Sequence, residues 1–298
     1  MSKSPSVSVV GPGALGCLFA GKLCKAGYRV HLIDYKHDRI NRLSKSGIEI
    51  YKNGSVEKYN VHVTSHIPTG QELVIILVKS YATQNLILPP DAHILTLQNG
   101  LGNAEILCKK THPDKILAGV TTEAATLMGE GKTKHTASGI TTIGSWTVAP
   151  VEKAVEILES AGFSVEITHS PGQAIWEKTA INAGINPLTA ILNVPNGALL
   201  KVREVRELLR ELVIEAVKVA GTEGYRFPKS LVEMAEETCE KTADNISSML
   251  QDIRAGKKTE IESISGEILR RGISAMLPTP RTRTIYQLVR GLEERANL

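Results

Sequence analysis

The hydrophobic pattern changes character once along the chain. Through the first half, short apolar runs recur at residues 6–10, 29–33, 73–78, 93–97, 117–120 and 141–144, with helical or loop segments between several of them. That alternation predicts a parallel, doubly wound α/β sheet. Residues 48–63 read instead as short β segments turning at Lys52-Asn53-Gly54, a hairpin signal that decorates the sheet rather than continuing it. After His169-Ser170-Pro171-Gly172 nearly every segment carries helical periodicity, with Leu208, Leu209, Leu212 and Val213 on one face and Ile246, Met249, Leu250 and Ile253 on another. Pro278-Thr279-Pro280 breaks the chain before a last amphipathic helix over 283–295. The expected organisation is therefore an α/β domain over residues 1–169 and an all-helical domain over 170–298, with a cleft between them as the natural substrate site.

The first apolar run feeds Gly11-Pro12-Gly13-Ala14-Leu15-Gly16, a G-x-G-x-x-G pattern. Three glycines in six positions also occur in ordinary loops, so the context carries the weight. Residues 14–25 place Leu15, Phe19 and Leu23 at helical spacing, and a second apolar run ends in Asp34. A strand, this turn and a helix form the Rossmann dinucleotide fingerprint. Gly11 makes the turn, Gly13 lets the backbone approach a pyrophosphate, and Gly16 lets the helix pack closely on the strand. The positive helix end then faces the anion, and Asp34 stands near the position where an acidic side chain accepts from the ribose hydroxyls.

A chain of 298 residues can bury a large core without metals or disulfides. Its net charge of +4, with acidic and basic residues interspersed, implies no nucleic acid. The four cysteines show no metal-ligand spacing and suit a reducing compartment. No apolar stretch approaches the roughly 20 residues needed to span a bilayer, and no cationic-then-apolar leader opens the chain, so a cytoplasmic protein without a membrane partner is expected. Apolar stripes on the helical half could serve a homodimer as well as a core.

The densest polar constellation lies in 176–191, where Lys178, Asn182 and Asn186 stand at i, i+4 and i+8 and share one helix face. Pro187 is expected to kink that helix beside the stripe. A solvated face is the plain reading of the spacing alone. Two asparagines, poor helix formers, argue for another purpose, since two amides and an ammonium can grip a small oxygenated anion. A second cluster holds Asn245, Ser248 and Asp252, with Asn245 able to cap a helix, and Glu260 follows. Lys79 and Asn99 each follow a predicted parallel strand, where ligands of open sheets collect, although Asn99-Gly100 could equally be a simple turn.

Taken together, G-P-G-A-L-G at 11–16, V-K-S-Y-A-T at 78–83, Q-N-G-L-G at 98–102, E-K-T-A-I-N-A-G-I-N-P-L-T-A-I at 177–191, N-V-P-N-G at 193–197 and N-I-S-S-M-L-Q-D-I-R with T-E-I-E at 245–262 resemble the ketopantoate reductase family. The resemblance spans nearly the whole chain. It implies a Rossmann domain joined to a helical domain of the phosphogluconate-dehydrogenase type, and reduction of ketopantoate to pantoate on the route to pantothenate and coenzyme A. By matching position it implies Lys178 as general acid with Glu260 beside it, Asn182, Asn186, Asn245 and Ser248 as substrate-binding residues, and Lys79 and Asn99 near the cofactor. The chain departs from the commonest pattern at Asp34, where many members carry an arginine for the NADPH 2′-phosphate. Asp34 suits NADH instead, unless Lys36 or Arg39 pairs the phosphate. A reductase of another small 2-keto acid, or a non-catalytic NAD(P)H sensor, are the competing expectations.

Overall fold

The computed structural model describes residues 5–295. In chain order it contains β1 (Ser6–Val10), α1 (Ala14–Lys25), β2 (Arg29–Ile33), α2 (His37–Ser46), β3 (Ile48–Lys52), β4 (Ser55–Tyr59), β5 (His62–Thr64), β6 (Leu73–Ile76), a 3₁₀ turn at Ser80–Asn85, β7 (His93–Thr96), α3 (Asn103–Cys108), β8 (Ile116–Thr121), β9 (Ala124–Gly129), β10 (Lys132–Ala137), β11 (Ile140–Ser145), α4 (Glu152–Ser160) and β12 (Ser164–Ile167). Helices follow: α5 (Pro171–Leu192), α6 (Arg203–Thr222), α7 (Leu231–Lys241), α8 (Ser248–Arg254), a π turn at Glu262–Gly266, α9 (Glu267–Ser274) and α10 (Pro280–Glu294). Two compact units result, the first comprising residues up to Gln98 with Asn103–Ala174, the second Asn99–Gly102 with the residues from Ile175 onward. Among the described residues no helix is long and apolar enough to cross a membrane.

In the first unit the eight-stranded sheet has the order β12-β11-β8-β7-β6-β1-β2-β5. The run from β8 to β5 is parallel throughout. The order reverses beside β1, so its carboxyl end is the topological switch point at which open sheets bind ligands. Strand β1 is buried because Val7, Val9 and Val10 pack into a core shared with Phe19 and Leu23 of α1. Two features differ from the sequence expectation. Strand β11 runs antiparallel to β8, because a β hairpin rather than a helix connects them and reverses the chain. Val63 belongs to β5, which extends the main sheet beside β2 instead of decorating it.

The expected hairpin at 52–54 is present, with Asn53 and Gly54 both at positive φ, the geometry that two-residue β turns require. It joins β9 and β10 in a four-stranded sheet, β4-β3-β10-β9, and the Thr133 hydroxyl of β10 donates to the Ala14 carbonyl at the start of α1 (3.1 Å). Strand β10 escapes a hydrophobicity reading. Its buried positions, Thr133 and His135, are themselves polar and alternate with exposed lysines.

The helical unit has its own core around Trp176, Leu209, Leu212, Val213 and Ile285. Helix α10 starts at Pro280, earlier than the periodicity suggests. Proline suits a first helical position, and the buried Glu215 carboxylate of α6 accepts from the Arg281 N–H (2.9 Å), the Thr282 N–H (2.8 Å) and the Thr282 hydroxyl (2.6 Å). Replacing Glu215 with Ala leaves those donors buried without an acceptor and is expected to cost about 2–4 kcal/mol in denaturant unfolding of the helical unit. Glu211→Ala, which removes only an exposed ion pair with Arg281, is the control and is expected to cost less than about 1 kcal/mol.

Candidate active site

The turn after β1 has the shape a dinucleotide phosphate needs. Gly11 sits at φ +106°, and its N–H donates to the Ile33 carbonyl, which ties the turn to the end of β2 (2.9 Å). A Cβ at Gly16 would fall 1.8 Å from the Gly11 carbonyl oxygen, so only glycine lets α1 begin this close to the turn. Gly13 is exposed and meets no atom within 4 Å of where a Cβ would lie. It opens α1 with no side-chain cap and no acidic residue in the first turn, while Ala14 and Leu15 are half-buried behind it. Backbone donors at a positive helix end, beside an open space, fit an anionic pyrophosphate.

At the end of β2, Asp34 is fully buried and both its oxygens are taken. The Arg39 guanidinium binds it through Nε on Oδ2 and Nη2 on Oδ1 (2.6 Å), and the Lys36 N–H donates to Oδ1 (3.3 Å). Asp34 therefore does not present a bare carboxylate, because Arg39 neutralises it in a two-pronged pair. Beside them on α1, burial pushes the Cys17 thiol up to about 12, which keeps it an inert apolar filler.

The ends of β6 and β7 are held by a residue the sequence reading did not single out. The Gln98 side chain donates to the Val78 carbonyl (2.8 Å) and to the Thr83 hydroxyl (2.8 Å), and accepts from Thr96 (3.0 Å). Its buried amide pins the backbone just before Lys79, which is half-buried and opens the 3₁₀ turn at Ser80–Asn85. A glutamine followed by Asn-Gly at a strand end was the available signal.

Within the helical unit, one 22-residue helix, α5, contains Lys178, Asn182, Asn186 and Pro187. Lys178 and Asn182 are half-buried and Asn186 is buried, so this stripe is no solvated face. Burial brings the Lys178 amine down to about 8, and the Glu260 carboxylate opposes that fall by favouring the charged form. Glu260 is itself buried, and Asn99 donates to its Oε2 (3.3 Å). Asn99 is held here because the next two residues rest on Ser263. A Cβ on Gly100 would meet the Ser263 carbonyl oxygen at 2.5 Å, and the Leu101 N–H donates to that same oxygen (2.8 Å). Lys178, Glu260 and Asn99 thus form one cluster from three distant stretches of chain.

Asn245 and Ser248 are exposed, one just before α8 and the other at its first position. The helix cap is Ser247 rather than Asn245. Its hydroxyl accepts from the Leu250 N–H (3.1 Å) and pairs with Thr189 of α5 (2.7 Å), which docks the start of α8 against α5 one turn beyond Asn186. Asn196, in the turn after α5, was also missed. It donates backbone N–H to the Asn245 carbonyl (3.0 Å) and its amide N–H to Thr242 (2.8 Å), while its buried Oδ1 accepts no hydrogen bond among the described residues. The arrangement can hold a small polar anion near an amine whose proton is easily given up.

The chain is similar to known proteins over nearly its whole length. Residues 7–147 match the family model described as ketopantoate reductase PanE/ApbA, and residues 172–293 match its C-terminal counterpart. A 2-dehydropantoate 2-reductase of Halobacterium salinarum is 35% identical over 95% of this chain and 97% of its own length. One from Archaeoglobus fulgidus is 34% identical over 96% and 97%. Among solved structures, a PanE/ApbA family ketopantoate reductase from Ralstonia eutropha JMP134 superposes with a TM-score of 0.89 at 29% identity, covering 98% of this chain and 100% of that one. D-mandelate dehydrogenase in a ternary structure with NADH and anilino(oxo)acetate superposes at 0.91 with 25% identity, over 98% and 100%.

An NMR titration of the Lys178 side chain is expected to give a midpoint of about 8, below its ordinary 10.5, and Glu260→Gln is expected to move it lower still. A midpoint at the ordinary value, or an upward move in the variant, contradicts the balance described. The unfolded chain binds this proton more tightly, so the stability contributed by this group rises with pH between about 8 and 10.5.

Proposed function

The chain belongs to the ketopantoate reductase family, and we propose that it reduces 2-dehydropantoate to pantoate, with Lys178 as the proton donor. The single observation that carries this reading is the cluster in which the Lys178 amine lies in the field of the buried Glu260 carboxylate, which Asn99 binds (3.3 Å). When bound, a reduced nicotinamide supplies the hydride that arrives at the keto carbon. As that carbon becomes tetrahedral, negative charge grows on its oxygen. The Lys178 ammonium stabilises the charge and gives up a proton to the oxygen, a transfer made easy because burial has already weakened its hold. Glu260 keeps enough of the amine protonated near neutral pH, and Asn99 helps to orient that carboxylate. Asn182 and Asn186 supply neutral donors for the carboxylate and hydroxyl of the keto acid, and Asn245 and Ser248 extend that set. The orphaned Oδ1 of Asn196 supports its membership as well, as an acceptor for a substrate hydroxyl.

Lys178→Ala is expected to lower kcat by about 10²–10⁴-fold with little change in cofactor affinity. In the wild type, kcat/KM is expected to fall as pH rises through about 8, because the amine that must donate has lost its proton. A near-normal kcat in Lys178→Ala overturns the assignment. A substrate panel tests the second reading, which the D-mandelate dehydrogenase likeness favours: reduction of an aromatic 2-keto acid, expected here to be slower than that of 2-dehydropantoate.

Gly11, Gly13, Ala14, Leu15 and Gly16 hold the cofactor pyrophosphate in this reading, with Asp34 and Lys79 at its edges. NADH is the preferred form. Support comes from the Asp34–Arg39 pair, which engages the guanidinium that a 2′-phosphate would need. Asp34→Ala frees Arg39 and is expected to move the ratio of kcat/KM values toward NADPH by at least about tenfold. A large NADPH advantage in the wild type defeats the assignment. The free cysteines support a cytoplasmic location.

A further inference from the structure

Glu260 stands in a stretch that no regular structure holds. Residues 257–259, between the end of α8 and the π turn, make no helix or strand, and Lys257 and Lys258 are exposed. Downstream the Glu260 carbonyl is anchored, because it accepts from the Ser263 and Ile264 N–H groups (both 3.1 Å) and from the Ser263 hydroxyl (3.1 Å). Upstream the anchor is a side chain of α10. Oε1 of Glu293 accepts both the backbone N–H and the hydroxyl of buried Thr259 (2.7 Å each), and the Thr259 hydroxyl in turn accepts from the Ile261 N–H (3.1 Å). Arg290 holds the other oxygen of Glu293 (3.0 Å). A second strut from the same helix runs from the Tyr286 hydroxyl to Oε2 of Glu262 (2.6 Å).

The position of Glu293 is costly for the helix. It lies in the last turn of α10, which has no basic residue, and a negative charge at a helix C-terminus opposes the dipole. A buried carboxylate there needs a strong reason, and the two Thr259 donors supply one.

We propose that Glu293 is a positioning residue for the reductase reaction: by clamping Thr259 from α10, with Tyr286 bracing Glu262 on the other side, it fixes the turn that presents the Glu260 carboxylate to Lys178 and Asn99. This inference rests on the reading of Glu260 as the partner of the proton donor. Loosening the clamp lets the carboxylate drift from the amine. Because Glu260 is what raises the proton affinity of Lys178, the amine then loses its proton at lower pH.

The test is a double-mutant cycle read by pH-rate profiles. E293A is expected to lower kcat/KM by about ten- to hundredfold and to move its basic limb to lower pH, with the KM for NADH unchanged. E293Q, whose amide oxygen still accepts from Thr259, is expected to recover most of the loss. In an E260A background E293A is expected to have no further effect. T259V, which removes the hydroxyl alone, is expected to move the profile in the same direction by a smaller amount and serves if E293A does not fold. The exposed Glu294→Ala is expected to change nothing. An equal loss from E293A with and without Glu260, or an unmoved basic limb in both E293A and T259V, overturns the proposal. If E260A turns over at the wild-type rate, the parent reading of Glu260 fails, and the positioning role falls with it.

Discussion

The helical unit is organised around one buried charge balance. An amine removed from water loses affinity for its proton, and a nearby carboxylate restores part of that affinity. Neither effect alone suits proton donation near neutral pH. Lysine left in water would hold its proton more tightly, and lysine buried without Glu260 would hold it less tightly. The remaining contacts serve the balance: Asn99 on Glu260, Ser263 under Gly100 and Leu101, and the Thr259–Glu293 clamp from α10.

The nucleotide unit solves a different problem with backbone rather than charge. The N–H groups at the start of α1 that would meet an anion stand beside the turn because Gly16 lets the helix approach within a distance no side chain would permit. The second sheet, β4-β3-β10-β9, anchors that helix start through Thr133, so the cradle is held from both sides. At its edge, Arg39 turns Asp34 from a free acceptor into half of an ion pair, which changes the meaning of an acidic residue at the end of β2.

Much of this was legible in residue order. The strand runs, the helix at 14–25 and the Asn53-Gly54 turn follow from local pattern, because period, turn chemistry and glycine spacing act within a few residues. The stripe of Lys178, Asn182 and Asn186 was equally visible, but whether it faced solvent was not. Strand β10 was hidden because its buried face is polar, and the antiparallel β11 because direction depends on what connects two strands rather than on the strands themselves. Ser247 was overlooked beside Ser248, since which of two adjacent serines caps a helix depends on where the helix starts.

Residue order by itself determined many of the elements, the glycine turn after β1 and the identity of the groups available for chemistry, all properties set by neighbours within one or two helical turns. Tertiary structure decided which of those groups meet. Lys178 and Glu260 are 82 positions apart, and Thr259 and Glu293 are 34 apart, with no periodic relation that could announce either pair. Burial, the quantity that tunes the lysine, exists only once α5 is packed among the other helices, because desolvation is a property of surroundings and not of sequence.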